Sequence, residues 1–190
     1  MNKGEFLTRF HLKQLAESSH NYQHHAPLKK AAVLIGLIEN PDTGLQVLLT
    51  KRSSHLKHHP SQISFPGGKA ELDDKSLVET ALREAYEEIG LAPQAVTVIG
   101  QLPHYEVISG YQVTPIVAII DHQQTYQQDE NEVAEIFQAP LQHFLQRNNH
   151  HCFRVYRNGR YLNIHFYPYK HYNIWGATAA MLKDLIEHIK

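Results

Sequence analysis

Residues 83–91 read Arg83-Glu84-Ala85-Tyr86-Glu87-Glu88-Ile89-Gly90-Leu91. Wound at about 100° per residue, the segment from Ser76 to Ile89 puts Val78, Leu82, Ala85 and Ile89 on one narrow apolar face, the side expected to pack on a sheet. Gly90 stops this helix and Pro93 follows. Glu84, Glu87 and Glu88 share another face at i, i+3 and i+4, so their side chains are expected to converge on one point. Arg83, with Glu79 four residues before and Glu87 four after, is expected to brace them. Like charges at these spacings each cost about 0.2–0.5 kcal/mol, and the helix dipole disfavours anions in the last turns. A helix that breaks local rules in this way often marks a functional site. A divalent cation supplies the compensation. Carboxylate oxygens suit Mg²⁺ or Mn²⁺, and the cluster holds no His or Cys to favour zinc.

Working upstream, Ser64-Phe65-Pro66-Gly67-Gly68 pairs two glycines, which permit close backbone approach, with a stiff proline entry. Lys51, Arg52 and Lys57 precede it and Lys69 follows. Acidic helix, glycine loop and basic neighbours together describe a metal-bridged polyphosphate site, in which the metal neutralises diphosphate oxygens and activates a water. Residues 53–75 lack periodicity and read as one long loop, a length that usually signals function.

Further out, the apolar run Ala31–Ile38 reads as a buried strand, the Asn40-Pro41-Asp42-Thr43-Gly44 turn leads into a second strand at Leu45–Arg52, and Ala95–Gln101 and Val113–Ile120 add two more. Glu132–Gln138 reads as a strand end leading through Pro140 into a short helix near Leu141–Leu145. Cys152–Arg157 and Arg160–Tyr167 flank Asn158-Gly159, a strong hairpin signal. Helices are expected at residues 5–16, with Phe6, Leu7, Phe10 and Leu15 as the apolar face, and from Trp175 to the end. Residues 1–27 are set apart as a helix with a polar, His-rich connector, and residues 28–190 form the main domain. The fold class is α/β, with antiparallel hairpins and helices interspersed.

The 190 residues suit one domain with appendages, at roughly 150 residues per domain. Hydrophobic residues at 42% can bury a core, and the net charge of -1 exerts no global pull on nucleic acid or an anionic membrane. A single cysteine, Cys152, excludes an internal disulfide and any Cys-based zinc site, and fits a reducing compartment. No signal peptide is visible, and the longest apolar stretch falls short of the ~20 residues of a spanning helix, so a cytoplasmic location without membrane contact is expected. The 15 histidines, among them His20, His24-His25, His55, His58-His59 and His150-His151, lack acidic or Cys partners at ligand spacing and read as solvated polar residues. Tyr156, Tyr161, Phe166, Tyr167, Tyr169 and Tyr172 interleave with Arg154, Arg157, Arg160 and Lys170. This pattern suits a stacking surface, but a hairpin packing alternate residues on the core is the preferred reading, and no nucleic-acid partner is expected.

Gly68 through Leu91 resembles the Nudix box, whose second half stands intact at Arg83–Leu91. Asp74 stands where the family prefers Glu, one residue further from Arg83 than usual, with Glu71 and Asp73 as alternatives for that position. Leu48-Leu49-Thr50-Lys51-Arg52-Ser53, running on to Phe65-Pro66-Gly67-Gly68, resembles the segment that marks coenzyme A pyrophosphatases, with Lys57 where that signature has Arg and Ser61 where it has Gly. Ile174-Trp175-Gly176-Ala177-Thr178 is similar to that subfamily's last helix.

The resemblance implies a Nudix α/β/α sandwich with a mixed sheet and a Mg²⁺- or Mn²⁺-dependent hydrolase. The substrate it implies is coenzyme A or its thioesters, cleaved to 3′,5′-ADP and 4′-phosphopantetheine or its acyl form. Another nucleoside diphosphate derivative (ADP-ribose, a dinucleotide or an oxidised dGTP) is the alternative. Glu84 and Glu88 are then the leading metal ligands, Glu87 the next and the Gly68 carbonyl a further one, with Arg83 in the catalytic helix. Arg52, Lys57, Gly67, Gly68 and Lys69 are the candidates for substrate binding. Glu132 and Glu135 are candidates for the general base, and residues 1–27 for a homodimer contact.

Overall fold

The computed structural model describes residues 1–15, 27–157 and 159–190. Strand β1 (Lys29–Asn40) is the axis of the main sheet: its continuous apolar run is buried on both sides, as a strand covered on both faces must be. The Asn40 side chain accepts from the Asp42 and Thr43 N–H groups, both at 3.0 Å, which folds the chain back into β2 (Gly44–Arg52). There follow β3 (Ile63–Ser64), β4 (Gly67–Lys69), β5 (Val96–Gln101), β6 (Tyr105–Val107), β7 (Tyr111–Ile120) and β8 (Val133–Pro140). The order is β3-β2-β1-β7-β5, with β4 also on β1, β6 on β7 and β8 on β2. β1 and β7 run parallel and β1 and β2 antiparallel, so the sheet is mixed.

Helix α1 (Lys3–Leu12) precedes the sheet and α2 (Leu77–Ile89) lies on one face, where Ala81, Ala85 and Ile89 meet Leu34, Leu48, Ile116 and Ala118. The opposite face buries Ile35, Leu37, Leu49 and Val117 against α1, α3 (Leu141–Leu145) and α4 (Gly176–Ile189). The architecture is the expected α/β/α sandwich. A second sheet, β9 (His151–Arg157), β10 (Arg160–Tyr169) and β11 (Tyr172–Trp175), leads into α4.

Several expectations need correction. α1 is not an appendage: Phe6 and Phe10 are buried in the main core, and Phe10 offers its carbonyl to His188 Nε2 at 2.8 Å. That apolar face is therefore not available to a second copy, while Leu15 lies beyond the helix and is exposed. The connector histidines His20, His24 and His25 lie outside the described residues, as does Asn158. The stretch 53–75 is not one loop, because β3 and β4 add strands to the sheet. β6 and β11 were not foreseen; each forms within its own hairpin. Nor are all the histidines solvated: His165 and His188 are buried, and His150 Nε2 lies 2.9 Å from His165 Nδ1. Burial, with His150 nearby, pushes His165 down to about 4, so it stays neutral at pH 7. Among the described residues no helix is long and apolar enough to cross a membrane.

Because Phe6 is wholly buried, Phe6→Ala is expected to cost about 3–5 kcal/mol, read as a lower midpoint in chemical denaturation. A detachable N-terminal helix would leave the midpoint of the main transition unchanged.

Candidate active site

The site begins with two small residues. Ala81 and Ala85 let α2 approach the sheet closely, and Glu88 continues their stripe at i+7 and i+3. The buried face is therefore Thr80, Ala81, Ala85, Glu88 and Ile89, while Val78 and Leu82 sit at its margin, half-buried. Ser76 caps the start by accepting from the Glu79 N–H at 3.2 Å, and Gly90, at φ 66°, ends the helix in the left-handed conformation.

The three glutamates do not converge. Around the helix Glu84 and Glu88 stand about 40° apart, but Glu87 and Glu88 about 100°. Glu87 points outward, 56% exposed, and pairs with Arg83 at 2.9 Å. Glu88 is 3% exposed, with Oε2 accepting from the Gly67 N–H at 3.2 Å and Oε1 3.7 Å from Arg52 Nη1. Glu84 lies against Gly68, where an added Cβ would fall 2.5 Å from its carboxylate. Burial raises both acids: Glu88 to about 8, partly offset by Arg52 and the Gly67 N–H, and Glu84 in the same direction, opposed by Arg83.

The glycine pair is not a turn but strand β4, with Gly67 and Gly68 opposite Val33 and Ala32 of β1. At Gly67 (φ 154°) a Cβ would meet the Ala32 carbonyl oxygen at 2.4 Å and the Val33 Cα at 2.6 Å, so no other side chain fits this approach.

Arg83 braces Glu84 and Glu87 as expected and takes a further partner. Its Nε and Nη2 form a fork on Asp74 at 3.0 and 3.1 Å, Nη1 reaches Glu84 at 3.1 Å, and Nη2 also donates to the Lys69 carbonyl at 3.0 Å. Glu79 instead accepts from the Lys75 N–H at 2.7 Å. Asp74 takes two further donors, Thr80 Oγ1 at 2.8 Å and the Glu71 N–H at 2.9 Å, while Glu71 and Asp73 themselves are exposed. The Arg83 fork holds the Asp74 carboxyl far below the usual carboxylate range, and Asp74 in turn raises Arg83. Spacing did not reveal this pair, because nine residues with a helix cap between them fit no regular period.

The remaining candidates separate by face. Glu132 sits at the mouth of β8, its carbonyl bonded to the Ser53 N–H at 2.9 Å, and its charge acts on both Glu84 and Glu88. Glu135 lies on the opposite face of the sheet, on the side of Phe137 and Leu49, and accepts from the Tyr172 hydroxyl. It is removed from the acid pair. Lys57 is exposed on the connection from β2 to β3, and Lys69 is exposed at the end of β4.

The donor set fits a divalent cation. Buried Glu88 and half-buried Glu84, each raised by desolvation, flank a glycine strand, and a cation is what would hold both ionised together. Among the described residues no three His, Cys, Asp or Glu side chains group closely enough for a complete ligand shell. That suits Mg²⁺, which is commonly held by one or two carboxylates, with waters and substrate phosphates completing its shell.

The NUDIX domain model matches residues 28–158. The chain is 41% identical over 182 residues to the "Uncharacterized Nudix hydrolase NudL" of Cronobacter sakazakii, covering 95% of this chain and 91% of that protein. It is 42% identical over 182 residues to the protein of that name from Salmonella paratyphi B, with the same coverage. Among solved structures, a MutT/nudix family protein from Enterococcus faecalis aligns over 99% of this chain and 68% of its own at TM-score 0.53 and 18% identity. RenU, a Nudix hydrolase from M. smegmatis, aligns over 68% and 81% at TM-score 0.52 and 21% identity. These two establish the likeness of fold. The chain belongs to the Nudix family. It is accordingly a hydrolase of diphosphate anhydrides in nucleoside diphosphate derivatives, a class that generally requires a divalent cation.

Two substitutions test this geometry. Asp74→Asn is expected to destabilise by up to about 3 kcal/mol at pH 7 through the weakened charge-assisted bonds. Because the folded state lowers the Asp74 pKa, the wild-type advantage is complete above about pH 4 and shrinks as the pH falls below it; paired denaturation curves across that range check the sign. Ser61, at φ 60°, holds the left-handed conformation where the subfamily signature has Gly. Ser61→Gly is expected to raise stability by about 1 kcal/mol, read as a higher denaturation midpoint.

Proposed function

We propose that this protein hydrolyses the diphosphate of coenzyme A or its thioesters, releasing 3′,5′-ADP and 4′-phosphopantetheine or its acyl form, with Mg²⁺ or Mn²⁺. The observation that carries the chemistry is the pair of buried Glu88 and half-buried Glu84 flanking Gly67-Gly68, with Arg52 3.7 Å from Glu88. The substrate choice rests on the Leu48–Ser53 and Phe65–Gly68 segments and their likeness to coenzyme A pyrophosphatases.

Glu84 and Glu88 hold the cation, with the Gly68 carbonyl as a further ligand and Glu87 outside the pair, tied to Arg83. When bound, the ion neutralises the diphosphate and makes its phosphorus more electrophilic. Arg52 and Lys69 present positive charge to the phosphate oxygens, with Lys57 further out on its loop. Glu132, close enough to influence both metal-facing acids, takes the proton of the attacking water. Arg83 is a positioning residue: it fastens Asp74, Glu84 and the Lys69 carbonyl into one frame. The lone exposed Cys152 suits a reducing compartment, and we place the protein in the cytoplasm.

The test is product analysis of coenzyme A incubated with purified protein and Mg²⁺, Mn²⁺ or chelator. Equimolar 3′,5′-ADP and 4′-phosphopantetheine are expected with metal and neither with chelator. Glu88→Gln is expected to lower kcat by about 100-fold or more, on the scale of losing one preorganised electrostatic group. Glu132→Gln is expected to lower kcat by about 100-fold, and Glu135→Gln to leave it nearly unchanged. Turnover of ADP-ribose, a dinucleotide or an oxidised dGTP without products from coenzyme A would keep the chemistry and overturn the substrate.

A further inference from the structure

Strand β9 and the start of β10 stand off the core as an arm, while the far end of β10 returns to it through Tyr167. Every described residue of β9 is exposed, and β9 is the outer strand of its sheet. The expectation that alternate residues of the hairpin pack on the core holds for Tyr167 and Tyr172 but fails over β9. On one face Phe153, 59% exposed, meets Phe166 edge-on at 5.3 Å, and Phe166 stacks on Trp175 at 6.2 Å. On the other face Tyr156 lies 5.1 Å from Tyr161, and the Arg154 guanidinium sits 4.2 Å above the Tyr161 ring. Both tyrosines are more than half exposed.

The charge of this region is one-sided. Strands β9 and β10 hold no Asp or Glu but carry Arg154, Arg157 and Arg160, with Lys170 next to the end of β10. A chain with a net charge of -1 thus sets aside a wholly basic, aromatic arm. Contiguous exposed apolar surface marks an interaction site, and the charge selects the partner. A second copy is disfavoured. Antiparallel pairing of two β9 strands about Arg154 sets that arginine against its own copy, and like charges directly opposite destabilise a strand pair. An acidic protein surface would answer the arginines but has no particular use for two sets of rings. Single-stranded nucleic acid answers both: bases stack on aromatic faces, and phosphates pair with arginine.

We propose that the β9–β10 hairpin binds single-stranded nucleic acid, stacking bases on its ring clusters and neutralising phosphates with Arg154 and Arg157. This surface contains none of the residues assigned to the hydrolytic site, so the two readings stand or fall separately.

The experiment is fluorescence anisotropy of the full chain with labelled RNA and DNA single strands of about 12 nucleotides and a duplex of the same sequence, across about 50–200 mM salt. Either single strand is expected to bind more tightly than the duplex. The double variant Arg154→Glu with Arg157→Glu should weaken binding at least tenfold and reduce the slope of log K against log salt by about two. Phe153→Ala and Tyr156→Ala should each weaken binding by about fivefold or more. All variants should keep the wild-type circular dichroism and metal-dependent turnover of the small-molecule substrate. Absence of binding at the lowest salt, preference for the duplex, or indifference to the charge variant would overturn the proposal. So would a sedimenting dimer that Phe153→Ala dissociates, which would assign the arm to self-association.

Discussion

A carboxylate buried in an apolar interface sets the terms for everything around it. Glu88 lies on the sheet-facing stripe of α2, in line with Ala81 and Ala85, and is 3% exposed. Desolvation of an acid is expensive, and the surroundings answer it only in part: one N–H from Gly67 and a guanidinium at 3.7 Å leave a group whose pKa stands near 8. A second, half-buried acid, Glu84, stands one turn back, raised for the same reason. Two anions in one dry corner oppose each other, so the arrangement makes sense as one half of an ion site.

That corner exists because β4 has no side chains at two successive positions. Gly67 backs onto Ala32 and Val33 so closely that a Cβ would fall within 2.4 Å of a carbonyl oxygen, and Gly68 leaves its space to the Glu84 carboxylate. The strand fixes the acids against β1, and Arg83 fixes the helix against the strand. Its fork on Asp74 and its bond to the Lys69 carbonyl tie the residues after β4 to the middle of α2. Rigidity on both sides is what allows a partly compensated acid pair to keep its place instead of turning toward water, as Glu87 does.

Much of this was legible in the sequence, and the failures have physical causes. The helix and its stop at Gly90 followed from local chemistry, and the continuous run Ala31–Ile38 correctly marked a buried strand. The convergence of three glutamates was misread because i, i+3 and i+4 spacing was taken as one face, although Glu87 stands about 100° from Glu88 around the axis. Wheel position alone also hid how far the two alanines let the helix sink. Glu132 precedes β8 and Glu135 lies within it, beyond a β-bulge at the Lys51/Arg52 register shift that breaks the alternation, and the structure places Glu135 beside Tyr172 on the far side. The Asp74–Arg83 pair and strand β4 depend on contacts between segments, which no period reports. The arm from His151 to Arg157 was misjudged because alternation predicts which residues share a face, not whether anything covers it.

The end of β2 explains how the charged groups are arranged in sequence of burial. The Arg52 N–H bonds to the Gln62 carbonyl and the Ser53 N–H to the Glu132 carbonyl, both at 2.9 Å, while Ser53 Oγ holds the Glu130 carbonyl at 2.8 Å. One strand end therefore fastens both loops that border the acid pair, and it sets Arg52 and Glu132 beside the same carboxylate. The basic groups grade outward from there: Arg52, 25% exposed, beside Glu88, and then Lys57 and Lys69 in water. Under the proposed function, an incoming diphosphate would meet hydrated, adaptable lysines before a fixed guanidinium. It would reach Glu84 and Glu88 only at the innermost point, where anionic partners on both sides would call for a cation between them. The electrostatic order would then run with the path of approach.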